Sequence, residues 1–276
     1  MPEGHVIHGL AHRLSAEFGG NAVEVVSPQG RFAREAALLD GHRLERAEAW
    51  GKHLFITFDA PAPEHVVYIH LGLIGKLAVH PHAAPVGQVR LRITDGHTAA
   101  DLHGPQWCRL ITEEERALAI AKQGADPLRA DARPQPILDA VLRSRRPIGS
   151  LLMDQRLFAG VGNIYRAETL FRLGISPFTP GRDLHPDTAR ALWEDLVGLM
   201  RVGVERGRID TVREEHTPEA MGRPPRKDDH GGEVYVYRRE GQSCYVCGAP
   251  VRLQAMEGRN LFWCPSCQPE AAARIS

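Results

Sequence analysis

Apolar residues follow two rhythms along this chain, and the change of rhythm divides it. Val6, Ile7, Leu10, Leu14 and Phe18 recur at helical spacing before Gly19-Gly20, which predicts an amphipathic helix stopped by glycine. From Ala22 to about Leu102 the period falls to two. Short runs at 23–26, 53–58, 66–70, 76–80 and 89–93 are separated by Gly, Pro, Asn and Asp, a pattern that predicts a sandwich or barrel of many short strands. Trp50-Gly51-Lys52-His53 falls at one of the tight turns, so Lys52 is expected to project from a hairpin end. Beyond Glu113 the period turns helical. Gly124-Ala-Asp-Pro127 with Pro134 and Pro136 reads as an interdomain linker. Helices are predicted at about 137–143, after Pro147, from Asn163 and over 186–204, the last with Ala189, Leu192, Trp193, Leu196, Leu199 and Met200 as its core stripe. Residues 207–232 are polar, rich in Pro and Gly and without a period, and are expected to form a mobile loop.

The turn Gly160-Val161-Gly162-Asn163 places two glycines before an expected Asn cap, which would deliver free N–H groups at a helix start. Such a turn suits a phosphate, but it also joins ordinary packed helices. Further on, Cys244-Tyr-Val-Cys247 and Cys264-Pro-Ser-Cys267 stand sixteen residues apart. Two Cys-x-x-Cys pairs at this separation can gather four thiolates on one tetrahedral Zn²⁺. Between them 251–253 and 261–263 read as two strands of a hairpin whose tip carries Arg259. Two disulfides, or unrelated cysteines, are the alternatives. A closed four-thiolate zinc is structural, so the hairpin presents something and does no chemistry itself. Cys108 is the odd cysteine and reads as a small buried hydrophobe.

Composition narrows the classes. The length of 276 residues with 43% apolar content allows one large or two medium domains beside the hairpin. No apolar run reaches the length of a membrane span, and the first residues lack a signal peptide's apolar stretch, so a soluble cytoplasmic protein without a membrane partner is expected. Lys plus Arg equals Asp plus Glu at 34 each, which gives no global attraction to nucleic acid. The local cluster Arg143-Ser-Arg145-Arg146 reads first as a solvated charge run.

Taken together, Met1-Pro-Glu-Gly4, Gly51-Lys52, His70-Leu-Gly72, Asp154-Gln155 through Asn163-Ile-Tyr-Arg166, and 237–268 stand in an order that resembles the formamidopyrimidine-DNA glycosylase/endonuclease VIII family of base-excision repair enzymes. The resemblance implies a multi-domain α+β protein. Its parts would be an N-terminal helix on a β-sandwich at 1–123, a helix–two-turn–helix domain at 124–236 and a zinc finger at 237–276, with double-stranded DNA carrying damaged bases or abasic sites between the first two. It implies that Pro2, once Met1 is removed, is the nucleophile through its α-amine and that Glu3 donates a proton at the sugar. Lys52 matches the hairpin lysine that touches phosphate and assists elimination, Asn163 the backbone-binding asparagine, and Arg259 the finger arginine beside the lesion. Leu73, in His70-Leu-Gly-Leu73, is the best-placed wedge, with His70 grouped with it as DNA-binding, and Lys122 matches a backbone-touching basic residue. Cys244, Cys247, Cys264 and Cys267 would hold one structural Zn²⁺ in a protein expected to act as a monomer.

The chemistry requires these residue types. A damaged base must leave the stack to be reached, which costs a few kcal/mol. An amine attacking C1′ expels the base and leaves an iminium, which permits strand cleavage by elimination. An α-amine, with a reference pKa of about 7.7–8.0 against about 10.4 for Lys, is more often free base near neutrality. In isolation Glu3 reads as a residue favoured by the helix dipole. The opening Pro-Glu-Gly leans towards endonuclease VIII and oxidised pyrimidines. The Arg-and-Phe pair of the 8-oxoguanine branch has no counterpart here; the nearest stretch is 101–108. An 8-oxoguanine enzyme of the same family, a non-catalytic damaged-DNA binder and a zinc-ribbon interaction protein are the other readings.

Overall fold

The computed structural model describes residues 2–61, 63–227 and 232–269. The chain forms two compact units that divide between Gln123 and Gly124.

The first unit opens with α1 (Gly4–Phe18). Ile7, Leu14 and Phe18 of the expected stripe are buried, with Ala11 beside them, but Val6 and Leu10 are only half-buried. His5 and His8, one helical turn apart, take the inward positions instead. After α1 come β1 (Glu24–Val26), α2 (Ala33–Leu39), β2 (Leu44–Trp50), β3 (His53–Phe58), β4 (Val66–His70), β5 (Lys76–Pro81), β6 (Val89–Thr94), β7 (Thr98–His103), β8 (Trp107–Ile111) and α3 (Glu113–Ala121). The strands make two antiparallel sheets, ordered β1-β6-β7-β5 and β2-β3-β4-β8. Leu54, Ile56 and Ile69 of one sheet share a core with Leu77, Leu91 and Leu102 of the other, which makes the sandwich. Ser15 Oγ pins α1 to β2 by accepting from the Ala47 N–H at 2.9 Å and donating to the Ala47 carbonyl at 3.2 Å. The short helix α2 interrupts the strand region, where its Ala36 and Leu39 are buried. A capping box of Thr112 and Glu115 starts α3.

The second unit contains α4 (Gln135–Leu142), α5 (Ile148–Leu151), α6 (Asn163–Arg172), α7 (Pro186–Arg206), α8 (Pro218–Met221), β9 (Arg252–Met256) and β10 (Arg259–Trp263). The stripe of α7 is buried throughout, as its spacing predicts. One core joins the helices to the hairpin: Leu151, Phe158, Leu170 and Met200 pack in the same cluster as Tyr235, Val251, Phe262 and Cys264. The finger is therefore continuous with the helical core.

Two expectations change here. The interdomain linker expected from Gly124 falls where the two units divide, but it is not an exposed tether: Gly124–Pro127 is buried and the Gly124 N–H donates to the Gln155 carbonyl at 2.8 Å. Residues 207–232 are not a bare loop either. The described part holds a 3-10 turn at Glu214–His216 and α8, and buries Ile209 and Thr211; residues 228–231 lie outside the described residues. Its order comes from contacts that local composition does not announce. Arg223 pairs with Glu233 at 2.7 Å, and Glu168, fully buried on α6, accepts from the N–H groups of Tyr235, Val236 and Tyr237 at 2.7, 2.9 and 2.9 Å. No described helix is long and apolar enough to cross a membrane.

Candidate active site and nucleic-acid interface

In the first unit Glu3 stands at the N-cap of α1 with extended backbone, and its carbonyl accepts from the Val6 N–H at 3.0 Å. Its side chain does not cap the helix, yet it is only 2% exposed. Helix capping therefore does not explain this carboxylate. Pro2 beside it is half-buried. Burial first, and then the charge of His8, push the His5 imidazole down to about 4, so a neutral ring follows the Pro-Glu pair into the helix.

Lys52 lies in the two-residue turn between β2 and β3, closed by the Trp50–His53 pair and allowed by Gly51 at φ 58°. It is half-buried, and its charge reaches His53 and His70, at the start of β3 and the end of β4. These imidazoles lie 5.2 Å apart, and His70 stacks on Trp107 at 4.6 Å. Burial, then the charge of His70, hold His53 at about 4; burial and the Lys52 charge lower His70 as well. The neutral His53 Nδ1 accepts from the Tyr68 hydroxyl at 2.7 Å. His70 Nδ1 accepts from the Gly72 N–H at 3.1 Å, which leaves the ring proton on Nε2. Gly72, at φ 70°, tolerates no side chain, since a Cβ there would lie 2.9 Å from Gln106 Cβ. This turn carries Leu73 and Ile74 outward, 70% and 88% exposed. Two bare aliphatic side chains are thus left facing water at one turn. The β7–β8 turn facing Gly72 brings Gln106, with no Arg or Phe in it. Lys122 is exposed at the C-cap of α3, outside the turns that carry Lys52 and Leu73.

In the second unit the two-turn before α6 is stapled by Gln155. Its Oε1 accepts from the Gly160 N–H at 3.1 Å and its Nε2 donates to the Val161 carbonyl at 2.9 Å. Asn163 is not the helix cap; Gly162 occupies that position and Asn163 is the first helical residue. Asn163 Nδ2 donates instead to the Asn260 carbonyl at 2.8 Å, while its Oδ1 accepts from Arg166. Arg166, fully buried, donates to the same Asn260 carbonyl at 3.2 Å. Sequence reasoning gave Arg166 no role, although its i, i+3 spacing from Asn163 was a usable signal. The two residues tie the two-turn to β10, whose first residue is Arg259. Glu257 at φ 49° and Gly258 at φ 73° make the tight turn before it, and Arg146 braces Glu257 at 3.3 Å. Of the Arg143–Arg146 run, Arg146 is also held by Asp154 at 3.0 Å, so at least this member is not simply solvated.

The four cysteines converge. All four Sγ atoms lie within 4.8 Å of one another, with Cys244–Cys267 at 3.9 Å and Cys247–Cys264 at 3.4 Å. A tetrahedral ion with metal–sulfur bonds of about 2.3 Å needs sulfur–sulfur edges of about 3.8 Å. The cluster therefore fits a four-thiolate metal, and among the described residues it is the group that does.

Known proteins match this arrangement. Residues 1–105 match the formamidopyrimidine-DNA glycosylase N-terminal domain, and residues 123–214 the formamidopyrimidine-DNA glycosylase H2TH domain. Fold and matches define the class: a DNA glycosylase with a sandwich unit and a helical unit bearing a cysteine hairpin. A Mycobacterium tuberculosis protein named Endonuclease 8 1 is 47% identical over 274 residues, covering 97% of this chain and all of its own. A formamidopyrimidine-DNA glycosylase of Thermus thermophilus is 31% identical over 279 residues, covering 98% and 99%. The Lactococcus lactis formamidopyrimidine-DNA glycosylase, solved bound to DNA containing an AP site, shares the fold with a TM-score of 0.76 at 20% identity, over 97% of this chain and all of that one. The chain belongs to the formamidopyrimidine-DNA glycosylase/endonuclease VIII family of DNA-repair enzymes.

Proposed function

We propose that this protein is a bifunctional DNA glycosylase/AP lyase that releases oxidised bases, pyrimidines ahead of purines, and cuts the resulting site by β,δ-elimination through a Schiff base on Pro2. The observation that carries the reading is Glu3: a carboxyl almost wholly buried next to the Pro2 amine and not used to cap α1. The Pro2 nitrogen attacks C1′ of a flipped nucleotide and loses its proton to solvent as the glycosidic electron pair leaves with the base. Glu3 then protonates O4′ as the C1′–O4′ bond opens, and the nitrogen lone pair forms the iminium. The iminium then acidifies the neighbouring carbon, and phosphate leaves by elimination with Lys52 assisting. Met1, whose removal this requires, lies outside the described residues. His70, through Nε2–H, contacts phosphate; Leu73 fills the vacated gap; Asn163, Arg259 and Lys122 hold the backbone. Zn²⁺ on the four cysteines keeps the hairpin, and so Arg259, in place. The protein acts as a monomer on double-stranded DNA in a bacterial-type cytoplasm.

Three observations support the pyrimidine preference. The Pro-Glu-Gly opening and the absence of an Arg/Phe pair at the β7–β8 turn both lean that way, and the M. tuberculosis relative named Endonuclease 8 1 is the more similar of the two relatives above. Borohydride trapping on a panel of lesion duplexes tests substrate and nucleophile together. Thymine glycol and dihydrouracil are expected to be trapped and cut faster than 8-oxoguanine opposite cytosine; the reverse order moves the protein to the other branch. A tag left on the N-terminus converts the amine to an amide, whose lone pair is delocalised, and is expected to abolish trapping while duplex binding survives. Trapping by the tagged protein would make a lysine the nucleophile.

A further inference from the structure

A row of four rings crosses one end of a sheet in the first unit. Trp50 of β2 pairs with His53 of β3, His53 with His70 of β4, and His70 with Trp107 of β8, so the four side chains leave one face in a transverse line. The line borders the turn that carries Lys52, and His70 leads into the turn that carries Leu73. Aliphatic or plain aromatic residues suit such a row. Here two imidazoles stand at its centre, and neither His53 nor the nearby Tyr68 has a part in the steps above. The His53 ring lies 5.2 Å from His70, 6.1 Å from Trp107 and 5.7 Å from Tyr68. Its Nδ1 accepts from the Tyr68 hydroxyl at 2.7 Å. Tyr68 is itself held by a stack on Phe55 at 4.8 Å and an edge contact with Trp107 at 5.5 Å. Burial pushes the Tyr68 phenol up, so the hydroxyl keeps its proton to donate. Around His53 stand the charge of Lys52 from its own hairpin, His70 from β4 and the Gln123 side chain from beyond α3, while Arg109 of β8 faces Tyr68.

We propose that His53 and Tyr68 are positioning residues for strand cleavage: the hydroxyl fixes the His53 ring, and that ring sets His70 Nε2–H and the Lys52 hairpin end against the departing phosphate. A ring held by shape alone can turn over in place, whereas one whose Nδ1 is committed to a hydroxyl turns only by losing that bond. His53 is paired in register both with Trp50, across the Lys52 turn, and with His70, so its orientation is felt on both sides. Small misplacements of groups that meet a reacting centre cost rate steeply. The inference rests on the lyase reading above and adds two side chains to it, both acting through Lys52 and His70.

Y68F removes one oxygen and leaves the ring on Phe55; H53F keeps a ring in the row and removes the acceptor. Each is assayed as full-length protein purified with zinc and with a free N-terminal proline, on a duplex holding a preformed abasic site, so that base release is bypassed. Strand cleavage is expected to slow about fivefold in each variant, in kcat and not in KM, while borohydride trapping keeps its wild-type extent. The double variant is expected to be no slower than the slower single one, because both changes remove the same bond. Followed by the ring proton resonances of the free protein, His53 in Y68F is expected to take its proton at a higher pH than the wild type's about 4, since a hydroxyl donating to Nδ1 favours the neutral ring. If H53F does not fold, Y68F and the His53 titration carry the test. Wild-type cleavage in Y68F, losses that multiply in the double variant, trapping that falls with cleavage, or an unmoved His53 titration overturns the inference and leaves the lyase reading standing. A wild-type protein that does not trap overturns the lyase reading, and this role with it.

Discussion

At the scale of single residues, protonation and hydrogen bonding of a few buried groups decide how firmly the candidate site positions are held. His53 and His5 both stay neutral in the folded chain down to about pH 4, whereas an unfolded imidazole takes its proton near 6.5. Their contribution to stability is therefore complete above about pH 6.5 and is lost as pH falls towards 4, by up to on the order of 3 kcal/mol each. Urea midpoints of the first unit are expected to drop between pH 7 and pH 4.5, with a smaller drop in His53→Gln, which keeps an acceptor for the Tyr68 hydroxyl. An equal drop in that variant would remove His53 from the account. Arg166 poses a different test. Replacing it by Met leaves Asn163 Oδ1 without this donor and removes one of two donors from the Asn260 carbonyl, a loss of about 1–3 kcal/mol. Asn163 would then lack its brace, and weaker duplex affinity than the stability loss explains is the expected signature. These groups were poorly legible in the sequence. Histidines on α1 count as polar in a hydrophobic period, and an Asn after Gly reads as a cap because the partner that recruits it, the Asn260 carbonyl, is 97 residues away.

At the scale of elements, most of the fold was legible. The five named strand runs, α1, α4, α6 and α7 all appear close to their expected bounds, because each is rich in apolar residues bounded by Gly, Pro or polar positions, and α1 and α7 also show a buried stripe in their period. The segment after α7 escaped for the opposite reason: a few side chains from distant elements order it, and no repeat records them. The β9–β10 hairpin offers a prediction of its own. Its turn puts Glu257 at φ 49°, where a non-glycine residue is disfavoured, and its Arg146 partner offsets part of that strain. Glu257→Gly relieves the backbone but loses the ion pair, so hairpin stability is expected to change by less than about 1 kcal/mol. Gly258→Val, by contrast, forces a branched side chain to φ 73° and is expected to lower duplex affinity by displacing Arg259. Amide exchange across 252–263 separates the two outcomes.

At the scale of the whole molecule, the reach of the four-cysteine cluster is set by the core it borders. Cys244 and Cys264 belong to the same apolar cluster as Phe158, Leu170 and Met200. Chelation, or Cys264→Ser, is therefore expected to loosen the helical unit as well as the hairpin, while the sandwich unit keeps its exchange protection. Loss confined to 244–267 would mean that the shared core does not couple them.

Glu168 carries one more implication, for the order in which the chain assembles. Its carboxylate closes loops of 67 to 69 residues when it collects the three N–H groups at 235–237. A growing chain that ends before Tyr235 has α6 complete, yet its acid retains the Thr211 hydroxyl and lacks those three backbone donors. Enclosing a carboxylate so incompletely satisfied is unfavourable, so the helices have reason to stay open until about the last sixth of the polypeptide arrives. The 235–237 segment, which leads into the cysteine hairpin, is then the piece whose docking lets the helical unit close, giving a nascent chain a built-in delay.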